Sequence, residues 1–159
     1  MSEKKIWKTI NKFSFKDTNA CLKYLKKKNI IASPWILDIF MKRNYSFLKY
    51  KNPIKLYRVK LSDFGIKSPI TLKFFYKKLS KDFKLVSPDI ALYTRIIYSD
   101  QKNGEWLRFA TPMKSMIDSD GVPHLPKLGK ALNKYFIETY WSYPKAIFHP
   151  HNEFIVQKK

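Results

Sequence analysis

The sequence has little cysteine, little glycine and no long apolar run, and each shortage excludes a class of protein. Cys21 is the single cysteine among 159 residues, so no intramolecular disulfide can form and a reducing compartment is favoured. None of the four glycines belongs to a Gly-rich phosphate loop. No segment reaches about 18 uninterrupted apolar residues, and the N-terminus lacks a signal-peptide core. We therefore expect a cytoplasmic protein without membrane contact.

Acidic residues are scarce as well. The chain has 32 Lys and Arg residues against 12 Asp and Glu, for a net charge of +20, and residues 1–84 hold 22 of the bases and only 5 of the acids. An AT-rich genome would enrich lysine, but that bias does not deplete Asp and Glu. The imbalance therefore indicates an anionic partner.

Apolar residues, by contrast, are plentiful enough for a core. They make up 45% of the chain, with 16% aromatic residues, so folding can bury enough apolar surface to offset chain entropy. The length fits one globular domain over residues 1–159. Within it, residues 1–84 form a basic, helix-rich half and residues 85–159 a strand-rich half.

Three helices are predicted in the first half. Ser14 or Asp17 can cap the first helix, which ends near Asn29, and Ser33 caps the second. An amphipathic helix follows Thr71. Its apolar positions are Leu72, Phe75, Leu79 and Phe83.

Strands are predicted over residues 54–61 and in most of the second half. The second-half strands are "ALYTRIIY", "EWLRFA", "YFIETYW" and "EFIVQK", and Asn103-Gly104 suits a turn between the first two. The predicted fold class is α+β, with two short N-terminal helices, one further amphipathic helix and a mainly antiparallel β-sheet.

Lysines at helical spacing are the main candidates for binding. The helix after Thr71 carries one cationic stripe, and the first helix carries another. Lysine contacts to phosphates give affinity with little sequence discrimination, and only four arginines are present for specific base contacts. The predicted nucleic-acid-binding residues are Lys23, Lys26, Lys27, Lys42, Arg43, Lys49, Lys51, Lys73, Lys77, Lys81 and Lys84. Tyr45, Phe47 and Tyr50 are candidates for stacking on unpaired bases.

Two other functions fit parts of the sequence. The basic surface suits an acidic protein partner, as in a defence, toxin-antitoxin or effector system. A metal-dependent nuclease would need clustered carboxylates, for which the candidates are Asp89, Glu105, Asp118 and Asp120.

No cofactor or metal site is predicted. Two residues after Glu105 stands Leu107, where a restriction-type nuclease would have lysine. "IDSDG" opens like a calcium loop, but Val122 occupies a ligand position. His124, His149 and His151 lack the spacing of a zinc site.

From about Ile54 onward the chain resembles an uncharacterised group of small bacterial proteins. The matching stretches are "KLSDFG", "SPDIALYTRIIY", "GEWLRFA", "DSDG" and "HPHNEFIVQKK". The resemblance implies a shared scaffold that includes Gly104 to Arg108, Asp118 to Gly121, and Trp141, but it implies no activity, cofactor or partner. Ser87 stands where the group has cysteine.

Overall fold

The computed structural model describes residues 3–159 as a β-sheet with helices on both faces. The helices are α1 (Thr18–Lys27), α2 (Pro34–Lys42), α3 (Leu72–Leu79) and α4 (Pro88–Ile97). The strands are β1 (Lys8–Ile10), β2 (Ile31–Ala32), β3 (Ile54–Lys60), β4 (Ile70–Thr71), β5 (Phe83–Lys84), β6 (Trp106–Phe109), β7 (His124–Ala131), β8 (Lys134–Trp141), β9 (Ile147–Phe148) and β10 (Glu153–Lys158). The α+β class predicted from the sequence is confirmed.

The main sheet is mixed and has eight strands. Its order is β1-β3-β10-β6-β7-β8-β2, with β5 also paired to β10, and β4 pairs with β9 in a separate two-stranded sheet. Most pairs are antiparallel, but β10 runs parallel to β6 and β2 runs parallel to β8. The expectation of a mainly antiparallel sheet therefore holds only with these two parallel pairs added.

The predicted helix boundaries at the N-terminus are confirmed by their hydrogen bonds. The Asp17 side chain accepts the N–H of Ala20 at 2.9 Å, and the Ser33 hydroxyl accepts the N–H of Ile36 at 3.3 Å. Asn29 has a φ of 55°, the left-handed conformation that ends a helix. Each cap satisfies a backbone group that the first or last turn leaves unpaired.

Side chains of the sheet alternate between two separate cores. Leu56 and Ile155 point to one face, where they join residues of α1, α2 and α4. Val59 and Phe154 point to the other face, where they pack against α3. We call these the three-helix face and the α3 face.

The stretch "ALYTRIIY" is helical, so its prediction as a strand is wrong. It forms most of α4, which begins at Pro88 directly after Ser87, a favoured arrangement for a first helical turn. Residues 88–95 are all buried. Burial on every side hides the 3.6-residue period, so the β-branched and aromatic residues suggested a strand instead. The protein therefore has a fourth helix.

The end of the third helix and one whole strand also differ from the prediction. The third helix ends at Leu79, and Phe83 reaches the same core from β5. The strand β7 was not predicted, because Pro126 and Gly129 interrupt its pattern. Pro126 lies beyond the residues that pair with β6, so its missing N–H costs no hydrogen bond on that side.

A buried arginine joins α4 to the sheet. Arg95 is 1% exposed and donates hydrogen bonds to the Gln101 side chain at 2.7 Å and to the carbonyls of Gly129 and Phe136 at 3.1 and 3.0 Å. Its other terminal nitrogen donates to the Tyr98 carbonyl at 2.7 Å. Burial lowers the pKa of the guanidinium to about 10, so it stays charged at neutral pH. One side chain thus binds α4, β7 and β8 together.

Replacing Arg95 by leucine is expected to lower the free energy of unfolding by about 3 kcal/mol or more, because Gln101 and several buried carbonyls would lose their donor. Urea denaturation measures the change. Arg43→Leu removes the same charge from an exposed position and serves as the control. Equal losses for the two variants would show that the Arg95 hydrogen bonds add no particular stability.

Gly129 makes room for a tryptophan on the neighbouring strand. Trp106 lies directly opposite Gly129 across β6 and β7. A Cβ placed on Gly129 would lie 2.1 Å from two carbons of the Trp106 ring, well inside van der Waals contact. The glycine therefore lets the indole lie flat on the strand.

Gly129→Ala is expected to destabilise the protein by about 1–3 kcal/mol through overpacking against Trp106. Thermal or urea unfolding gives the stability change. In the background of Trp106→Ala the same substitution should cost much less, since the clashing ring is gone. A cost that is the same in both backgrounds would contradict this explanation.

Candidate functional site

One part of the α3 face is not filled by α3. There β6, β7 and β8 present a surface of three aromatic side chains, two basic ones and one acidic one, all partly exposed. The cross-strand pairs Trp106 with Gly129, Arg108 with Lys127, and Gly129 with Phe136 place them in adjacent rows. We call this surface the open face. Its residues are Trp106, Arg108, Lys127, Phe136, Glu138 and Tyr140.

The basic groups of the open face lie over its aromatic rings. The Lys127 Nζ is 5.0 Å from the Trp106 ring centre and 5.9 Å from that of Tyr140. The Arg108 guanidinium carbon is 5.2 Å from the Tyr140 ring centre. These distances are within the range of cation–π attraction. The rings thus hold the two cations in place on the sheet.

These two cations lack a full complement of polar partners. Within residues 3–159 no salt bridge involves either of them, and the buried Arg108 Nε has no hydrogen-bond partner. Burial lowers the pKa of Arg108, and burial followed by the neighbouring Arg108 charge lowers that of Lys127. Glu138, opposite Lys127 on β8, offsets this in part. An anion bound on the open face would supply the negative charge and the hydrogen-bond acceptors that these two side chains lack.

A second feature is a cavity between α2 and the end of β8. Its volume is about 390 Å³, within the usual range of ligand pockets. Trp35, 52% exposed, and Trp141, 58% exposed, are among its lining residues. Because β2 pairs with β8 only at Phe136 and Ile137, the last residues of β8 form a free edge beside the cavity. We call it the tryptophan pocket.

A buried histidine forms the polar part of this pocket. The His124 Nε2 lies 2.8 Å from an Asp118 carboxylate oxygen, and its Nδ1 lies 2.9 Å from the Thr139 hydroxyl. The other Asp118 oxygen accepts the N–H groups of Asp120 and Val122, at 2.9 Å each. An ionised carboxylate only accepts, so His124 donates from Nε2 to Asp118.

The loop that carries Asp118 is also tied to α2. Ser119 donates its N–H and its hydroxyl to the Asp38 carboxylate, at 2.7 and 2.6 Å. The loop turns at Gly121, which has a φ of 82°, and Asp118 accepts the hydrogen bonds of an Asx-type turn. The two attachments, to His124 and to α2, fix Asp120 at the pocket.

The two predicted lysine stripes do not meet. Lys23, Lys26 and Lys27 are exposed on α1, which packs on the three-helix face, whereas Lys73 and Lys77 are exposed on α3, on the opposite face. Beyond the end of α3 lie Lys81 and Lys84, both exposed, the latter on β5. A single short strand of nucleic acid cannot contact both stripes at once.

The remaining predicted residues lie near α2 and the loop after it. Lys42 is 3.6 Å from Asp38, Lys49 is 3.2 Å from Asp89, and Arg43 stacks on Tyr45. Lys51 is exposed. Of the three aromatic candidates, Tyr45 and Phe47 are buried, and the Tyr50 hydroxyl donates to Asp89. These aromatic rings pack in the core.

The carboxylates considered for a nuclease do not converge. Glu105 accepts from Tyr98 at 2.5 Å and from Arg58 at 3.4 Å, while Asp118 is bound to His124. Asp89 is buried and binds the Tyr50 hydroxyl and the exposed Lys49, whereas Asp120 is exposed at the tryptophan pocket. Over residues 3–159 no three His, Cys, Asp or Glu side chains are grouped so that they could hold a metal ion.

Sequence reasoning missed the open face and the tryptophan pocket. The alternation of Trp106 and Arg108 in "EWLRFA" was a usable signal, because residues two apart on a strand share a face. Their partner Lys127 lies in the unpredicted strand β7. Trp35 and Trp141 are far apart in sequence, and nothing local indicates that they meet.

Comparison with protein-family models, with curated proteins and with solved structures gives no match. The resemblance to small bacterial proteins therefore stays a prediction. Among the described residues, no helix has the length and apolar character needed to cross a membrane.

The Asp118 carboxylate should make stability depend on pH in the acid range. Hydrogen bonds from His124 and from the Val122 and Asp120 N–H groups lower its pKa in the folded protein. Its stabilising effect is therefore present above the pKa of the unfolded chain, about 4, and is lost as pH falls through the folded value.

Urea unfolding of the wild type and Asp118→Asn at a series of pH values tests this effect. The stability difference between them should be largest near neutral pH and shrink below about pH 4. A difference that stays constant down to the acid-unfolding limit would contradict the assignment.

Proposed function

We propose that this protein is a non-enzymatic nucleic-acid-binding protein that holds a single strand on the open face. The observation that carries the proposal is the pair Arg108 and Lys127. These side chains are partly buried, adjacent across two strands, stacked on aromatic rings and without a salt bridge in the described chain. Glu138 offsets this positive charge only in part, and a phosphate backbone would supply the rest.

The rings beside these cations suit unpaired bases. Trp106 and Phe136 lie in one row of the open face, with ring centres 6.1 Å apart, and each is partly exposed. Stacking of a base on an aromatic ring contributes about 1–3 kcal/mol and tolerates any sequence. Bases in a duplex are already stacked on one another, so this surface favours single strands.

The wider charge distribution supports the same function. The net charge of +20 attracts a polyanion from a distance and speeds its association. The exposed Lys73 and Lys77 of α3 lie on the same side of the sheet as the open face. They extend the phosphate-binding surface without adding base contacts, so little sequence specificity is expected.

Fluorescence anisotropy with labelled single-stranded RNA, single-stranded DNA and duplex DNA, each across a salt series, tests the proposal. The double variant Arg108→Gln, Lys127→Gln should bind single strands about tenfold more weakly, with a salt slope reduced by about two. Single strands should bind more tightly than duplex at equal phosphate concentration.

A matched variant separates the open face from general charge. Lys23→Gln, Lys26→Gln removes the same charge from the opposite side of the sheet, and its affinity should fall by no more than about threefold. Equal losses of affinity in the two double variants would mean that any basic surface of the protein binds the strand equally well. Unchanged binding by Arg108→Gln, Lys127→Gln would overturn the proposed site.

A second candidate function is binding of an acidic protein. The observation in its favour is the exposure of Leu37 and Met41 on α2, 39% and 75%, since a protein contact would cover such apolar groups. A complex of fixed stoichiometry with one acidic protein would favour this function if it survives nuclease treatment and is lost in Leu37→Ser, Met41→Ser.

A further inference from the structure

We infer that the tryptophan pocket is a guanine-selective subsite for one base of the bound strand. The inference rests on the proposed function and adds a base preference at a single position. It depends on three features of the pocket: its exposed indole rings, the unused carboxylate of Asp120, and its position at the free edge of β8, across which the open face lies.

The indole rings provide the stacking surface. Trp35 and Trp141 are more than half exposed, although large aromatic side chains gain most when they are covered. Trp35 lies in the first turn of α2, Trp141 ends β8, and both line the same cavity. A planar base inserted there would cover both rings. The pocket therefore fits a flat, apolar-faced ligand with polar edges.

The polar edge that fits is the one that only donates hydrogen bonds. The Asp118 carboxylate is already occupied by His124 and two N–H groups. The Asp120 side chain is exposed at the pocket and makes no hydrogen bond or salt bridge within residues 3–159. A carboxylate accepts with both oxygens. Guanine presents two adjacent donors, N1–H and the 2-amino group, whereas adenine and cytosine place an acceptor next to their amino group.

The charges around the pocket orient the nucleotide. Asp38, Asp118 and Asp120 lie in or beside it, so a phosphate inside would be repelled. Lys42 lies two turns after Trp35 on the same side of α2, close to Asp38 at 3.6 Å. The base therefore enters between the indoles while its phosphate stays outside, near Lys42.

The pocket lies at the free edge of β8, mainly on the opposite side of the sheet from the open face, and Tyr140 links the two surfaces. Tyr140 lines the pocket, and its ring also lies under the Arg108 guanidinium. Because β2 leaves the end of β8 unpaired, a strand stacked on Trp106 and Phe136 can pass Tyr140, cross this free edge and place an unpaired base in the cavity on the other side. One strand can thus use both features.

Isothermal titration calorimetry with 5′-GMP, AMP, CMP and UMP tests the inference, because the four nucleotides carry the same phosphate. GMP should bind about tenfold or more tightly than the others, as expected when a fixed carboxylate pairs with only one base. Asp120→Asn should reduce GMP affinity to the level of AMP and leave AMP unchanged. Trp35→Ala should weaken all four.

The control variant is Asp100→Asn, which removes one exposed carboxylate from the turn after α4 and should not alter the preference. Equal binding of the four nucleotides, or a GMP preference that persists in Asp120→Asn, would overturn the inference. Mononucleotides do not require the open face, so Arg108→Gln, Lys127→Gln should keep the GMP preference. A wild-type protein that binds GMP selectively but binds no single strand would therefore count against the proposed function alone.

Discussion

The hydrogen bonds of one buried arginine determine how the functional surfaces are arranged. Arg95 projects from α4 and donates to backbone carbonyls of both β7 and β8. A buried guanidinium needs hydrogen-bond acceptors, and its two terminal nitrogens find four of them here, although Nε has no partner. The β7–β8 pair is therefore held against α4, and its opposite side becomes the open face.

Gly129 connects this buried network to the open face. Its carbonyl accepts from Arg95 on one side of the sheet, and its missing side chain admits the Trp106 ring on the other. The flat indole then lies in one row with Phe136 and within reach of Lys127. The requirement for glycine at this position thus comes from two neighbours at once. A side chain there would move the stacking surface relative to its cations.

Local chemistry in the sequence was enough to predict several elements. The caps at Asp17 and Ser33 and the left-handed Asn29 were predictable, because each depends on side-chain or backbone preferences within a few residues. The strands β6, β8 and β10 were also predictable from their apolar and aromatic patterns. The α4 helix was not, since a helix buried on all sides has no amphipathic period.

The arrangement of the sheet and both functional surfaces depends on contacts between distant segments. The last strand, β10, lies between β3 and β6, and no local pattern predicts that position. The same holds for Arg108 and Lys127, which are neighbours only because of the β6–β7 register. The sequence drew attention to the abundant helix lysines, but a lysine on a solvated helix face has alternatives to ligand binding. A cation that is partly buried without a counter-ion has fewer alternatives to ligand binding.

The distribution of charge suggests a division of roles between the two surfaces. The chain has only 12 acidic residues, and three of them, Asp38, Asp118 and Asp120, lie at the tryptophan pocket. A polyanion attracted by the overall positive charge meets local repulsion at that one place, so its phosphates are directed to the surrounding lysines. A base edge that donates hydrogen bonds is instead attracted to the pocket, because carboxylates accept hydrogen bonds. Overall charge thus governs affinity, and the few acidic residues govern which chemical group enters the pocket.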